Sequence, residues 1–322
     1  MEADARTLRV AAVQIVSHNG SIEVNLEHCL PFVEEAAEKG ARIIILPEFM
    51  PTGYLYTTEM WNCGEPREGP TVRWLREQSK RLGVYLGTSF LEAEGEDFFN
   101  TFVLFSPDGN QSGRVRKQTP AAFEAYFTRG QAGTHVINTE LAKIGVGICY
   151  ENQLAYIPML MYSHAVDLML MPHSAPTPAP SPIFPPKQVE LYNQRMKGLA
   201  AYYAKHLGIP AIMINKCGPW ETPLPGLPFL PQKSYFPGYT AIADSNAEVK
   251  SQLANEEGVL VEDVLLDPSR KAKQAPPVHG RWSGFVPWPI YLFIGVEAMG
   301  KICYTVSTER RRRAREIFLH SR

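Results

Sequence analysis

The stretch Lys143-Ile-Gly-Val-Gly-Ile-Cys-Tyr150 combines a short apolar run with a cysteine at its end. The run predicts a buried β-strand, and the residues after Cys149 predict a turn or the start of a helix. Such a turn exposes the side chain at its tip and presents a nearby backbone N–H, that of Tyr150, as a donor to a developing negative charge. A helix N-terminus also favours the thiolate form. Cys149 is therefore the candidate nucleophile.

Strand and helix patterns alternate on both sides of this stretch. Apolar, β-branched runs predict strands at 8–15, 41–46, 84–90, 100–106, 166–171 and 209–215, and helical spacing predicts helices at 25–39, 71–82 and 189–206. Two proline-rich stretches, 172–186 and 219–231, predict loops, because proline is excluded from helix interiors and central strands. This order predicts an α/β fold whose loops after the strand ends form the walls of a binding pocket.

A carboxylate follows one of these buried strands. Glu48 comes directly after Ile43-Ile-Ile-Leu46 and Pro47. In a crevice at the strand's carboxyl end, loss of water is expected to raise its pKa toward the range of a general base. Histidine is the common partner of a catalytic cysteine, so His173, just after the strand ending at Pro172, is the alternative base.

A lysine and a second carboxylate complete the candidate set. Lys117 lies in Gly113-Arg-Val-Arg-Lys-Gln-Thr-Pro120, and Glu124 follows it by seven residues. The lysine supplies a positive charge for a developing oxyanion. Glu124 is expected to orient that lysine or to share a proton network with Glu48.

Three blocks of the sequence resemble the signature motifs of the carbon–nitrogen hydrolase (nitrilase) superfamily. They are Leu46-Pro-Glu-Phe49, Arg116-Lys-Gln-Thr-Pro120 and Gly145-Val-Gly-Ile-Cys-Tyr-Glu151. In that family the blocks carry a catalytic Glu, Lys and Cys, which correspond to Glu48, Lys117 and Cys149. Glu124 begins a segment similar to the family's second-glutamate block. The likeness extends from about Leu8 to Asp267.

The resemblance implies a four-layer α-β-β-α sandwich and a homodimer or higher homo-oligomer. It also implies a mechanism, in which Glu48 takes the proton of Cys149 and the thiolate attacks an amide or nitrile carbon. Lys117 and the backbone N–H of Tyr150 then stabilise the tetrahedral intermediate, and Glu48 activates the water that hydrolyses the thioester.

The sequence departs from the family pattern just after the cysteine. Amidase and carbamoylase branches often have Asp and then Arg, whereas here Glu151-Asn-Gln153 follows and no arginine does, which disfavours N-carbamoyl amino acids as substrates. The nitrilase branch has Glu at this place but usually Trp where Tyr150 stands. Residues near the motif loops predict an apolar pocket, and the predicted substrate contacts are Tyr54, Tyr126, Tyr150, Glu151 and His173, with Trp220 nearby.

Composition restricts the class of protein. The 322 residues are 45% hydrophobic and 20% charged, as in soluble globular proteins. A net charge of -1 argues against a nucleic-acid partner. Five cysteines without a C-x-x-C pair argue against a disulfide scaffold or zinc site and predict a cytoplasmic protein. The mixed-charge N-terminus is unlike a secretory signal. We expect no metal and no cofactor.

The C-terminal region differs from the rest, which predicts a hydrolase domain over 1–280 and an extension over 281–322. Residues 282–296 carry no charge and are rich in aromatic side chains, and an arginine cluster follows at 310–315. The uncharged stretch is shorter than the ~20 apolar residues of a membrane-spanning helix. The extension therefore predicts a contact with another subunit or, alternatively, with an anionic membrane surface.

These observations predict a thiol-dependent enzyme that hydrolyses a non-peptide C–N bond of a small or amphiphilic carboxamide. Two alternatives stay open at the level of sequence. One is a nitrilase, which converts a nitrile to an acid and ammonia. The other is an acyltransferase, in which an amine replaces water in the second step.

Overall fold

Two mixed six-stranded β-sheets pack face to face in the computed structural model, which describes residues 4–225 and 227–319. The first sheet has the strand order β14-β1-β2-β3-β4-β5, the second has β13-β12-β9-β8-β7-β6, and β10 and β11 form a separate ribbon. The strands are β1 (Arg6–Gln14), β2 (Ile43–Ile45), β3 (Tyr85–Glu94), β4 (Asp97–Phe105), β5 (Gln111–Arg116), β6 (Val136–Asn138), β7 (Lys143–Val146), β8 (Leu168–Pro172), β9 (Ala211–Ile214), β10 (Cys217–Leu224), β11 (Leu227–Pro237), β12 (Ala241–Ala243), β13 (Val249–Gln252) and β14 (Gly258–Leu266).

The described part of the chain has seven α-helices. They are α1 (Ile22–Glu38), α2 (Pro70–Leu82), α3 (Tyr156–Ser163), α4 (Pro186–Lys197), α5 (Leu199–Leu207), α6 (Leu292–Val306) and α7 (Thr308–Leu319). The single helix predicted over 189–206 is two helices, because the chain leaves helical geometry at Gly198. Short 3₁₀ helices occupy Ala122–Tyr126 and Cys149–Gln153, among other places.

The alternation of side chains along the strands produces the layers. Ile43 and Ile45 point into the core between the two sheets, where they share one apolar cluster with Leu170. Ile44 points to the opposite face and packs with Val72 of α2. Because successive residues of a strand face opposite sides, each sheet is apolar on both faces and needs helices on its outer one. The predicted four-layer α-β-β-α sandwich is confirmed.

The ends of several strands converge at one edge of the sandwich. β2 leads into Glu48, β5 into Lys117, β7 into Cys149 and β8 into His173. The carboxyl ends of parallel strands share an edge, and ligands bind in the crevice outside it. Residues that lie far apart in the sequence therefore meet at one place.

The two proline-rich stretches differ in structure. The chain between Pro172 and Pro186 has no helix or strand, as predicted. The predicted loop over 219–231 is wrong, since most of it forms the ribbon of β10 and β11, in which Pro223 lies opposite Pro231. Proline has no N–H to donate, so two facing prolines occupy a position where the ribbon needs no hydrogen bond. An isolated ribbon tolerates this where a central sheet strand does not.

The C-terminal helices pack against the sandwich with one face only. Gly300 of α6 lies close to Ala125, and the hydroxyl of Tyr304 accepts a hydrogen bond from the backbone N–H of Phe98 at 2.8 Å. The opposite face of α6 is apolar and exposed, with Met299 and Ile302 57% and 63% accessible.

The apolar segment is also longer than the sequence analysis indicated. The segment Trp288–Val306 has 19 residues, and 28% of it is buried in the protein. By length and composition alone, it is long and apolar enough to cross a membrane. The expectation that it falls short of that length is therefore wrong. The uncharged run ends before Glu297, but that carboxylate is paired with Arg281 and Lys301, so the apolar pattern continues past it.

Candidate active site

Three buried charged side chains meet at one place. Glu48 follows β2, Lys117 follows β5, and Glu124 lies in the 3₁₀ helix Ala122–Tyr126. The Lys117 ammonium Nζ lies 2.7 Å from Glu48 Oε1 and 2.5 Å from Glu124 Oε2. Glu48 and Lys117 have no solvent-accessible surface, and Glu124 is 2% exposed. Desolvated charges are stable only when they are paired and hydrogen-bonded, and this arrangement meets both conditions.

Further donors fix the carboxylate of Glu48. Asn100 Nδ2 donates to its Oε1 at 2.7 Å and also to Glu124 Oε1 at 3.0 Å. The backbone N–H of Ser174 donates to Glu48 Oε2 at 2.8 Å. The charge of Glu48 also acts on the Cys149 thiol, whose pKa it raises. Glu48 therefore influences both the cysteine and the lysine, and its orientation is set from several sides.

Cys149 occupies a strained turn. Its φ of 54° lies in the left-handed region, which non-glycine residues rarely adopt and which is common at functional turns. Asn152 holds this turn, since its Nδ2 donates to the carbonyls of Gly147 and Cys149 at 2.7 and 3.1 Å. A Cβ at residue 147 would lie 2.1 Å from Asn152 Oδ1, so only glycine fits there. The thiol is 6% exposed.

Glu151 connects the cysteine turn to the lysine loop. Its carboxylate accepts the backbone N–H groups of Ile148 at 3.1 Å and Gln118 at 2.6 Å, and the hydroxyl of Tyr156. It is fully buried and does not line the cavity described below. The structure therefore places Glu151, a predicted substrate contact, behind the cavity wall, where it joins the cysteine turn to the lysine loop.

Burial and charge partners together set the protonation states. Burial raises the pKa of Glu48, but the interactions with Lys117, together with smaller ones with Cys149 and His173, bring that pKa below its ordinary value. The expected upward shift is therefore wrong. Burial raises the pKa of Glu124, and repulsion from Glu48 adds to it. Burial and the Glu48 charge also raise the pKa of the Cys149 thiol well above its usual range. The resting site holds a neutral thiol beside a carboxylate.

His173 is not placed as a base. It is 1% exposed, and burial lowers its pKa to about 4, so the ring is neutral. Its Nδ1–H donates to the carbonyl of Met171 at 2.8 Å. Its backbone carbonyl accepts the N–H of Glu48 at 3.2 Å. These contacts make His173 part of the support for Glu48, although the residue also borders the cavity.

A cavity of about 550 Å³ opens beside Cys149, within the size range of small-molecule sites. Cys149 lines the cavity, and Glu48, Lys117 and Glu124 lie buried behind it; we call these four residues the inner end of the cavity. Aromatic side chains of the sandwich and the ribbon line it, namely Tyr54, Tyr56, Phe123, Tyr150, Tyr192 and Trp220. The outer wall consists of the proline-rich loop 173–185 and the C-terminal residues 286–296, which contribute Ile183, Phe184, Val286, Ile290, Phe293 and Val296.

The structure brings most of the predicted substrate contacts to this cavity. Tyr54, Tyr150 and His173 line it, as does Trp220. Tyr126 does not, because it packs on the other side of its helix against Gly300 of α6. Residues two positions apart in a helical turn point in different directions. Tyr126 therefore lies away from the cavity, although it is close to Glu124 in the sequence.

Sequence reasoning missed three residues near the site. Asn100 and Ser174 hold Glu48, and Arg195 of α4 lines the cavity. Ser174 could have been predicted from the sequence, because it follows His173 at the end of a predicted strand. Asn100 and Arg195 lie in a strand and a helix with no local mark of function, and only the fold brings them near Cys149.

Comparison with known proteins agrees with this geometry. The family model for carbon–nitrogen hydrolase matches residues 9–274. A citrullinase from Francisella tularensis is 30% identical over 176 residues, which are 51% of this chain and 60% of that protein. A chloroplastic omega-amidase from Arabidopsis thaliana is 29% identical over 165 residues, 46% of this chain and 44% of that protein. The chain thus spans about half the length of the curated relatives it matches.

Solved structures share the architecture. A carbon–nitrogen hydrolase from Helicobacter pylori G27 superposes with a TM-score of 0.71 at 19% identity, covering 82% of this chain and 91% of that one. An amidase from Nesterenkonia sp. AN1, determined after acrylamide had added to its active-site cysteine, gives a TM-score of 0.64 at 19% identity, covering 83% and 96%. At this level of identity the likeness concerns the fold. With the family model matching over most of its length, this chain belongs to the carbon–nitrogen hydrolase family.

Proposed function

We propose that this chain hydrolyses the C–N bond of a carboxamide through a thioester on Cys149. The observation that carries the proposal is the buried Glu48–Lys117–Glu124 cluster, whose Glu48 charge acts on the thiol of Cys149 at the wall of an apolar cavity. A nucleophile, a base and an electrophilic cation in one water-poor place are the parts that acyl transfer requires.

In the first half-reaction Glu48 accepts the thiol proton as the sulfur attacks the carbonyl carbon. The carbonyl oxygen becomes an oxyanion, for which Lys117 Nζ and the backbone N–H of Tyr150 are the proposed donors. Glu48 then gives its proton to the nitrogen, the C–N bond breaks, and ammonia or an amine leaves. A resting thiol suits this order, because deprotonation accompanies attack and the raised pKa of Cys149 makes the thiolate a strong nucleophile once formed.

In the second half-reaction Glu48 takes a proton from water and the hydroxide attacks the thioester carbon. The same donors stabilise the second oxyanion. The C–S bond breaks, the carboxylic acid leaves, and the sulfur recovers its proton from Glu48. Lys117 keeps its proton throughout, since two carboxylates hold its pKa well above the ordinary range despite burial.

The alternative substrates differ in product and use the same residues. A nitrile would give the acid and ammonia by way of a thioimidate, and an amine acceptor would give a new amide in place of the acid. Relatives of this chain carry both amidase and nitrilase names.

The test is product release from matched panels of amides and nitriles, with and without added amines. We expect ammonia and acid from an amide, with activity absent in Cys149→Ala and retained in Cys303→Ala, because Cys303 is the exposed cysteine on α6. Turnover of nitriles alone would replace the amidase proposal by the nitrilase one. Hydrolysis that persists in Cys149→Ala would contradict both.

A further inference from the structure

Arg195 of α4 is the one charged side chain among the described residues that line the cavity. Its guanidinium contacts neutral acceptors only. Nε donates to Gln153 Oε1, and Nη2 donates to Ser283 Oγ at 3.0 Å. The guanidinium carbon lies 5.6 Å from the centre of the Tyr202 ring. No carboxylate of the described chain pairs with it.

This lack of a counter-charge sets Arg195 apart from other enclosed arginines. Arg114 and Arg116 pair with the buried Glu92, and Arg310 pairs with Asp97. A partly buried cation without a carboxylate loses hydration that neutral hydrogen-bond partners such as Gln153 and Ser283 replace only in part. Burial accordingly lowers the pKa of Arg195, and the groups that oppose that shift are Tyr203 and Tyr202 rather than a carboxylate. An anion in the cavity would supply the missing partner, and a guanidinium binds carboxylate or phosphate oxygens in a fixed, two-pronged geometry.

The other residues that line the cavity indicate the chemical character of the rest of the ligand. Next to Arg195 the cavity is bordered mainly by aliphatic and aromatic side chains, and its polar lining groups, such as Gln153 and Thr177, are neutral. An apolar spacer fits such walls, whereas a second charge would lack a partner.

We propose that Arg195 binds an anionic group at the far end of the substrate, which is therefore an amphiphilic amide with its carboxamide at Cys149, an apolar spacer, and a terminal carboxylate or similar anion. This inference rests on the proposed function for the placement of the carboxamide. The anion site itself rests only on Arg195 and its surroundings.

Arg195 is connected to the nucleophile through one short element of the cavity wall. The 3₁₀ helix Cys149–Gln153 begins at the nucleophile and ends at the residue whose side chain accepts a hydrogen bond from Arg195. Amides of several chain lengths therefore test which spacer brings a terminal anion to Arg195.

The experiment compares hexanamide, octanamide and decanamide with their ω-carboxy counterparts. In the wild type we expect kcat/KM to be higher for the ω-carboxy amide of each pair by about tenfold to a hundredfold, mainly through KM, as charged hydrogen bonds typically contribute. Arg195→Gln removes that advantage, and Arg195→Glu shifts the preference to ω-amino amides. Arg42→Gln, which changes an exposed arginine elsewhere, leaves the preference intact.

Two results would overturn the inference. One is equal kcat/KM for neutral and ω-carboxy amides in the wild type. The other is an equal loss for both in Arg195→Gln, which is the signature of a merely structural contact to Gln153 and Ser283.

A direct binding measurement separates this inference from the proposed function. Calorimetry with Cys149→Ala and the ω-carboxy counterpart of octanamide, which carries a single negative charge, measures the anion site without turnover. If no amide is hydrolysed but this compound binds in a manner that Arg195→Gln abolishes, the proposed function fails and the anion site stands. If amides are hydrolysed and binding of this compound does not depend on Arg195, the anion site fails alone.

Discussion

The inner end of the cavity and its outer wall differ in the kinds of side chains that form them. At the inner end, charged groups are completely buried and each has a partner, with Lys117 held between Glu48 and Glu124. The outer wall is a proline-rich loop and a C-terminal segment whose apolar side chains are partly exposed, such as Leu292 at 47% and Ile183 at 56%. The first region fits one reaction chemistry, and the second is where substrate preference can vary.

The contrast has a physical origin. Strand ends in a sandwich are fixed by backbone hydrogen bonds to neighbouring strands and by a packed core, so groups placed there keep their geometry. Loops and terminal helices pack with one face and tolerate change at the other. Four variants test this division, from the largest expected effect to the smallest.

Lys117→Met gives the largest effect, because it leaves two buried carboxylates without their cation. We expect kcat/KM to fall by roughly 10³-fold or more, as for loss of an oxyanion donor. The free energy of unfolding at neutral pH should fall by about 3–5 kcal/mol. Steady-state kinetics and urea unfolding check both values. Lys80→Met, on the exposed face of α2, is the matched control. A variant as stable as the wild type would contradict the paired-charge description.

Glu151→Gln tests the link between the cysteine turn and the lysine loop. In the wild type, backbone N–H groups donate to both carboxylate oxygens of Glu151. In the variant one of these oxygens is replaced by an NH₂ group, which cannot accept, so at least one buried N–H loses its acceptor. We expect a loss of about 2–3 kcal/mol in the free energy of unfolding and a lower kcat with little change in KM. Urea unfolding measures the change in stability, and steady-state kinetics measure kcat and KM. Glu140→Gln, at an exposed glutamate, is the control for both. A change confined to KM would instead place Glu151 at the substrate.

Lys216→Met compares two fully buried lysines. Lys216 Nζ donates to the carbonyl of Phe49 at 2.8 Å and pairs with no carboxylate of the described residues, and burial lowers its pKa to about 7. Between that value and the ordinary 10.5, the unfolded chain binds more protons than the folded one, so this group makes stability rise with pH. Below pH 7 its unfavourable contribution is constant.

We therefore expect Lys216→Met to flatten the increase in stability between pH 7 and 10 and to raise the free energy of unfolding at pH 6 by about 1–2 kcal/mol. Unfolding at several pH values, with the exposed Lys205→Met as control, provides the measurement. A pH dependence identical to that of the wild type would show that Lys216 does not titrate in this range.

The exposed face of α6 gives the smallest effect on stability. Met299→Gln, Ile302→Gln and Val306→Gln together should change the free energy of unfolding by less than about 0.5 kcal/mol, because these side chains face solvent. If this face contacts another subunit, as the sequence predicts, the mass in solution should fall, which light scattering detects. Co-sedimentation of the wild type with liposomes, lost in the triple variant, would favour the membrane-surface alternative.

The sequence predicted the inner end better than the outer wall for the same physical reason. Cys149 and Glu48 each follow a strand whose apolar pattern is local, so their positions at strand ends were visible in the sequence. Lys117 follows the polar strand β5, which the sequence did not predict, and it was identified from its motif instead. The sandwich itself followed from that pattern together with the family resemblance. The direction of the Glu48 pKa shift was not visible, because it depends on the contact with Lys117, 69 residues away in the sequence.

Elements that depend on distant contacts were missed or misplaced. Arg195 lies on an ordinary polar helix, and only its contacts with Gln153 and Ser283 bring it to the cavity. Tyr126 is one turn from the site but faces α6. The ribbon of β10 and β11 contradicts the local preference of its prolines, which an isolated pair of strands accommodates. In each case a tertiary neighbour overrides the local signal.

The most direct test of thioester formation on Cys149 is the intact mass of the protein after rapid mixing with octanamide and its ω-carboxy counterpart. We expect a covalent adduct equal to the acyl group in the wild type and in Cys303→Ala, which Glu48→Gln does not form at a comparable rate and Cys149→Ala does not form at all. An adduct that persists in Cys149→Ala would contradict thioester formation on Cys149, as would the absence of any adduct or product with every amide tested.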